Sequence, residues 1–189
     1  LKSDGGVGYE CTASQTDIEL YQYAPSVCEG VYVLRDGEVW YAVLFCNFYQ
    51  FDSNTSVELT ELYRVYGIES AADIASIAEM DWSKKKEIGT PVTDRQEITE
   101  FYDMTVALWS YGNDDFQKQM FSGYPDEESQ QKAHIAFADD YRCIRIETVD
   151  GLRFFIGFHP SFDWIDGGGT MSYFKIDGQM HAWIDRNLN

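Results

Sequence analysis

The sequence predicts an α+β fold, in which an antiparallel sheet built from Asp-Gly hairpins packs against one main amphipathic helix at about residues 94–110. Asp-Gly pairs between segments rich in aromatic and β-branched residues are a strong short-range signal for a hairpin. Three such pairs occur, namely Asp36-Gly37, Asp150-Gly151 and Asp177-Gly178. The segment after residue 94 has instead the 3.6-residue apolar spacing of a helix.

Length and composition are those of a globular protein. The chain has 189 residues, of which 44% are hydrophobic and 24% are charged, so it can bury a core without a metal ion or a disulfide. We expect residues 1–16 to form a flexible lead-in and residues 17–189 to form a single α+β domain. Residues 17–90 and 91–189 could be two joined sub-structures within that domain.

The first predicted hairpin joins residues 31–34 to residues 39–48. Its Asp-Gly pair predicts a type I′ turn, in which both central residues need positive φ. Residues 40–46 (WYAVLFC) are apolar at every position. A strand of this kind is expected at the centre of a sheet that is covered on both faces.

The predicted helix has the clearest boundaries in the sequence. Thr93 and Asp94 are both good N-caps, with Gln96 and Glu97 three residues further on, and residues 111–113 stop the helix. Its apolar face consists of Ile98, Phe101, Tyr102, Thr105, Leu108 and Trp109.

Other segments have weaker signals. The apolar positions of residues 73–82 fit either a short helix after a Ser70 cap or a strand. Residues 114–133 are polar and predict irregular structure. The last two Asp-Gly pairs predict hairpins between residues 141–148 and 152–158, and between residues 171–176 and 180–184.

The net charge of −18 excludes several classes of partner. Residues 1–90 carry 15 acidic and 6 basic side chains, and residues 91–189 carry 17 and 8, so the charge is spread over both halves. A diffuse negative field repels phosphate backbones and anionic membrane surfaces. We therefore expect no nucleic-acid partner, and membrane association only through an N-terminal lipid anchor.

The four cysteines do not have zinc-site spacing, because no CxxC pair occurs. Cys11 and Cys28 lie in loop-like sequence and could form a disulfide in an oxidising compartment. Cys46 and Cys143 lie in apolar runs, where a free cysteine behaves as a small hydrophobic residue. The polar start LKSDGG looks like the linker left after a signal or lipobox is removed, although an artificially trimmed chain would begin in the same way.

A resemblance to known proteins supports an extracytoplasmic location. Residues 92–98 (VTDRQEI), 149–151 (VDG) and 173–176 (YFKI) follow one another in an order that resembles secreted lipoproteins of Gram-positive bacteria. In those proteins a TD-x-x-EI helix start, a meander around a DG turn and a closing Y-x-K-I follow a strand. The resemblance covers roughly residues 73–189 and implies an antiparallel sheet, a packed helix and no catalytic residue. None of the four cysteines belongs to these motifs, and the first 70 residues fall outside the pattern.

One segment has the residue types of a binding site. Residues 159–169 combine His159, Asp163, Trp164 and Asp166 with three glycines, so they could form a ligand-binding rim, or hold a metal ion through His159 and the two carboxylates. The alternative is a long hairpin connection whose glycines permit positive φ. No P-loop, GxGxxG or GxSxG motif is present, so the sequence predicts no catalytic residue and no cofactor.

Three functions are compatible with these observations. The first is a non-enzymatic, extracytoplasmic domain of the lipoprotein type that binds a protein, peptide or glycan. The second is a hydrolase or metal-dependent enzyme that uses residues 159–169. The third is an acidic inhibitor or mimic that binds a basic partner.

Overall fold

The computed structural model describes residues 18–24, 28, 30–44, 56–81, 83–167 and 172–188. Within these ranges the chain forms two antiparallel sheets and five α-helices, which confirms the α+β class. The strands are β1 (Ile18–Gln22), β2 (Val31–Asp36), β3 (Val39–Leu44), β4 (Ile74–Asp81), β5 (Lys86–Val92), β6 (Ser110–Tyr111), β7 (Arg142–Thr148), β8 (Arg153–His159), β9 (Trp164–Asp166) and β10 (Tyr173–Lys175). The helices are α1 (Leu59–Val65), α2 (Arg95–Val106), α3 (Asn113–Phe121), α4 (Glu127–Asp139) and α5 (Gly178–Asn187).

The larger sheet has seven strands in the order β5-β4-β7-β8-β9-β10-β6. One face packs against α1, α2 and α5 around a core that includes Phe101, Phe158 and Trp183. The other face, toward the β9 and β10 side, packs against α3 and α4 through Phe116 and Trp164. None of the described helices is long and apolar enough to cross a membrane.

The smaller sheet has the order β1-β2-β3. The predicted β2–β3 hairpin is confirmed, because Asp36 pairs with Val39 across a two-residue loop. The type I′ prediction is wrong, because only Gly37 in that loop has positive φ, at 60°. Positive φ at the first loop position alone is the pattern of a type II′ turn.

The prediction of a central, doubly covered strand at residues 40–46 is wrong for the part that the structure describes. Among the described strands β3 pairs only with β2 and lies at the sheet edge. Trp40 is 55% exposed, and the Arg35 guanidinium lies 5.4 Å from its ring centroid. Cys46 lies outside the described residues.

Residues 74–81 are the strand β4, and Asp73 ends a short 3₁₀ helix that Ser70 caps. This segment pairs with β5 on one side and with β7 on the other. Side chains of β4 are buried on both faces of the sheet, and for this reason its apolar positions fitted a helix as well as a strand.

The main predicted helix begins where the sequence indicated. Asp94 Oδ1 accepts hydrogen bonds from the backbone N–H groups of Gln96 and Glu97, at 2.9 and 3.1 Å. The helix ends at Val106 rather than at residue 110, because the chain leaves it to pair with residues 57–59. The Leu108 carbonyl accepts from the Leu59 N–H at 3.0 Å.

The prediction of one main helix is wrong, because α3 and α4 occupy most of the segment predicted to be irregular, residues 114–133. These helices bury few side chains, and in α4 only Ala133 is fully buried. The amphipathic signal of α4 is correspondingly weak. Asp126 caps α4 by accepting from the Ser129 N–H at 2.8 Å.

The Asp-Gly pairs at 150 and 177 have different outcomes. The β7–β8 hairpin is confirmed, and among the four residues that separate its strands Gly151 has a φ of 81°. The hairpin at Asp177-Gly178 is wrong, because Asp177 is the N-cap of α5. Its Oδ1 accepts from the N–H groups of Gln179 and Met180, both at 3.0 Å.

Residues 1–16 lie outside the described residues, and the domain division stays a prediction.

Replacing Asp177 should test its role as a cap. Asp177→Ala leaves two backbone N–H groups without their acceptor and is expected to lower the free energy of unfolding by about 1 kcal/mol. Urea denaturation measures this change. Gln179→Ala, in the same helical turn, is the control, and it should have an effect within about 0.5 kcal/mol of zero. Equal destabilisation by the two variants would contradict the capping role.

Candidate functional site

The residues predicted to form a site, from His159 to Asp166, lie at a tight connection between β8 and β9. His159 pairs with Trp164, so only four residues separate the two strands. Asp163 adopts the left-handed conformation there, with φ 57° and ψ 46°. Of the three glycines at 167–169, Gly167 alone lies within the described residues.

His159 is held by contacts on both ring nitrogens and is 3% exposed. Nδ1 lies 2.8 Å from the Phe137 carbonyl oxygen, and Nε2 lies 3.2 Å from Asp166 Oδ2. Its ring stacks on Phe137 with a centroid distance of 3.7 Å. Because a carbonyl only accepts, Nδ1 is the donor to Phe137. The imidazole therefore anchors α4 to the sheet.

Asp166 occupies space that only a glycine can leave open. Cys143, Gly157 and Asp166 form one row across β7, β8 and β9. A Cβ atom placed on Gly157 would lie 2.0 Å from Asp166 Oδ2 and 2.5 Å from Tyr141 Cε2. The carboxylate and the phenol ring thus pack directly over the backbone of β8.

Cys143 is buried beside these groups. Burial raises the pKa of its thiol and also the pKa of the Tyr141 phenol, which contacts it. A thiol with a raised pKa is neutral near pH 7, and only the thiolate is a nucleophile. This environment agrees with the prediction of a small hydrophobic cysteine and does not favour a nucleophilic one.

Asp163 lies next to a different histidine. Its Oδ1 is 2.7 Å from His181 Nδ1 in α5, and His181 Nε2 is 3.3 Å from Asp185 Oδ2. The three proposed metal ligands His159, Asp163 and Asp166 are therefore divided between two histidine–carboxylate pairs. Among the described residues, no group of three or more potential ligands could hold a metal ion.

Trp164 is 1% exposed and packs within the aromatic cluster on the α3–α4 face. Its ring centroid lies 5.1 Å from those of Tyr111 and Phe116. Lys175 Nζ lies 5.3 Å from the ring centroid and donates to the Phe162 carbonyl at 2.8 Å. His159, Asp163, Trp164 and Asp166 all contact other residues of this chain. Their role in ligand binding stays a prediction.

A cleft of about 1040 Å³ lies elsewhere, between the end of α2, the edge strand β6 and the starts of α3 and α5. We call it the Trp109 cleft, because Trp109 is 58% exposed and lines it. Its apolar lining is formed by Met104, Ala107, Leu108, Tyr111, Ile176 and Met180. Its charged lining comprises Glu100, Asp103, Asp115, Asp177 and a single base, Lys175.

The sequence did not reveal this cleft. The apolar spacing placed Trp109 on the buried face of a helix that extended to residue 110. The helix instead ends at Val106, and the bonds from Leu108 and Ser110 to residues 57 and 59 hold the next residues in an extended conformation. These contacts join residues about fifty positions apart, so local spacing could not indicate them.

The predicted Cys11–Cys28 disulfide cannot be placed, because Cys11 lies outside the described residues. Cys28 is fully buried in a small cluster with Val31 and Leu152. The disulfide stays a prediction.

Comparison with protein families, with curated proteins and with solved structures finds no match to this chain. The resemblance to secreted lipoproteins therefore stays a prediction.

Gly157→Ala should test the packing of Asp166. The added methyl group must displace Asp166 from its contact with His159, so we expect a loss of about 1–3 kcal/mol in the free energy of unfolding. Gly123→Ala is the matched control, because its added Cβ atom would have no neighbour within 4 Å. Urea titration of both variants makes the comparison. A Gly157→Ala variant as stable as Gly123→Ala would contradict this packing.

Proposed function

We propose that this chain is a non-enzymatic, extracytoplasmic binding domain of the lipoprotein type, and that the Trp109 cleft binds a cationic segment of a peptide or protein. The observation that carries the proposal is the composition of the cleft. An exposed tryptophan and an apolar floor are surrounded by four carboxylates and one lysine. This combination of groups suits a lysine or arginine side chain.

Each part of the cleft would contact a different part of such a ligand. A cation over a tryptophan ring gains about 0.5–2 kcal/mol, depending on how far it is desolvated. The apolar lining can pack against the aliphatic stem of a lysine or arginine. The net charge of −18 would accelerate the approach of a basic partner.

The charged groups differ in how far they are already occupied. Glu100 receives a hydrogen bond from Arg186 at 3.2 Å, and Asp177 caps α5. Asp103 and Asp115 are exposed and make no ion pair with the described residues. We therefore assign the main attraction for a cation to Asp103 and Asp115.

The described lining of the cleft supports binding rather than catalysis. It contains neither histidine nor cysteine, the residues that most often act as an acid–base group or a nucleophile near pH 7. His159 and Cys143 are buried away from the cleft instead, and His159 contacts Asp166. The enzymatic alternative at residues 159–169 has less support, because Asp163 and Asp166 contact different histidines.

The proposed location and partners have separate support. The resemblance of residues 73–189 supports an extracytoplasmic lipoprotein, in which a lipid anchor would precede the domain. The acidic charge supports a partner that is not nucleic acid, because a negative surface repels phosphates.

Peptide titration tests the proposal. We expect a short lysine- and arginine-rich peptide without tryptophan to bind and to change the intrinsic fluorescence. Trp109→Ala should weaken binding about tenfold, equivalent to about 1.4 kcal/mol. Trp40→Ala is the matched control, because Trp40 is similarly exposed but lies on the other sheet. Asp103→Asn with Asp115→Asn should also weaken binding, and so should raised salt.

Three results would contradict the proposal. They are equal affinities of the Trp109→Ala and Trp40→Ala variants, binding that salt does not weaken, and failure of the peptide to bind. A neutral oligosaccharide that binds in a Trp109-dependent manner, where the basic peptide does not, would assign the cleft to a glycan instead.

A further inference from the structure

We infer that the cationic segment that enters the Trp109 cleft can be supplied by a second copy of this chain, through the turn between β4 and β5. We call residues 83–86 (SKKK) the basic turn. In this arrangement the basic turn of one copy docks in the cleft of the next, and the copies associate head to tail. The inference rests on the proposed function of the cleft and names its partner.

The basic turn is the only run of consecutive basic residues in the sequence. Lys84 is bound to Asp81, with Nζ 2.6 Å from Oδ2, and its side chain is 75% exposed. Lys85 and Lys86 are exposed and form no ion pair with any described residue. Lys85 has a φ of 50°, which tightens the turn between the two strands.

Nearly all other described bases are already engaged. Arg142 and Arg145 bind Glu79 and Glu87, and Arg95 donates to the Ile74 carbonyl at 2.8 Å. Within the described ranges, the lysines and arginines whose side chains form no ion pair or hydrogen bond are Lys85, Lys86 and Lys118. The basic turn is therefore where two unpaired cations lie next to each other.

The basic turn and the Trp109 cleft lie at opposite edges of one sheet. The turn leads into β5, which is the first strand of the seven-stranded order, and the cleft is lined by β6, which is the last. Six strand spacings of about 4.8 Å place these edges about 29 Å apart. A copy therefore cannot fill its own cleft with its own basic turn. Contacts between two different surfaces produce rings or open chains rather than a symmetric dimer.

Salt should affect the overall repulsion and the local contact differently. Two copies with a net charge of −18 each repel one another over long distances. At about 0.15 M salt the Debye length is about 8 Å, so this repulsion is largely screened, whereas groups in contact are screened less. At about 1 M salt the Debye length falls to about 3 Å and the contact pairs weaken too. Association should thus be strongest at intermediate salt.

Sedimentation velocity of the full chain at increasing protein concentration tests the inference. At about 0.15 M salt we expect species larger than a monomer, and fewer of them at about 0.01 M and 1 M. Lys85→Gln with Lys86→Gln should weaken association about tenfold. Lys118→Gln with Lys132→Gln is the control, with the same change in charge on α3 and α4, and it should retain association.

Mixing two variants distinguishes head-to-tail contact from other modes. The Lys85→Gln/Lys86→Gln variant keeps its cleft, and the Trp109→Ala/Asp115→Asn variant keeps its basic turn. At a protein concentration at which each variant alone is monomeric, their mixture should form a 1:1 dimer that does not grow further, because each copy then offers one working surface.

Three results would overturn the inference. They are a wild-type chain that is monomeric at every salt concentration, variants that associate like the wild type, and a mixture that stays monomeric. The peptide titration separates this failure from failure of the proposed function. Cationic peptide that binds in a Trp109-dependent manner to a strictly monomeric chain would leave the cleft assigned and the second copy excluded.

Discussion

The fold depends on the burial of its central strands β4, β7 and β8 on both faces of the sheet, although these strands carry charged and polar side chains. Glu79, Arg145 and His159 are all buried. An ionised group without a partner in that environment would cost several kcal/mol, so each must be paired. Arg142 Nε donates to Glu79 at 3.0 Å, Arg145 reaches across the small Ala78 to Glu87, and His159 contacts Asp166. Because these pairs join different strands, a slip in register would break them together with the core packing.

The same constraint explains which parts of the fold the sequence could predict. The apolar run at residues 40–46 has the pattern of a doubly covered strand, yet β3 is an edge strand among those described. The strands that are doubly covered contain charges at buried positions, so counting apolar residues did not identify them. Local chemistry was more informative at Asp94, which was correctly predicted to cap a helix. Asp177 shows its limit, because an Asp-Gly pair suits a hairpin and a helix start equally well. The choice is made by the next residues, since Met180, Trp183 and Ile184 have helical spacing and are all buried.

The predicted site illustrates a related limit. Residues 159–166 have the composition of a binding loop, but the structure uses His159 to anchor α4, Asp163 to contact α5, and Trp164 to fill the core. Polar residues that join layers of a fold have the same sequence pattern as polar residues that bind a ligand. Only burial and partners distinguish the two roles. The Trp109 cleft, in contrast, exists because α2 stops at Val106, and that stop depends on hydrogen bonds to residues 57 and 59. No local sequence pattern indicates such a contact.

Ion pairing also determines which cations remain unpaired at the surface. The chain has 32 acidic and 14 basic residues, and the described arginines all donate to carboxylates or backbone carbonyls. A base that is paired in this way is not available to another partner. The cations left over are lysines, and two of the three are adjacent in the turn that leads into β5. The sheet therefore has unpaired lysines near one edge and a carboxylate-lined cleft at the other.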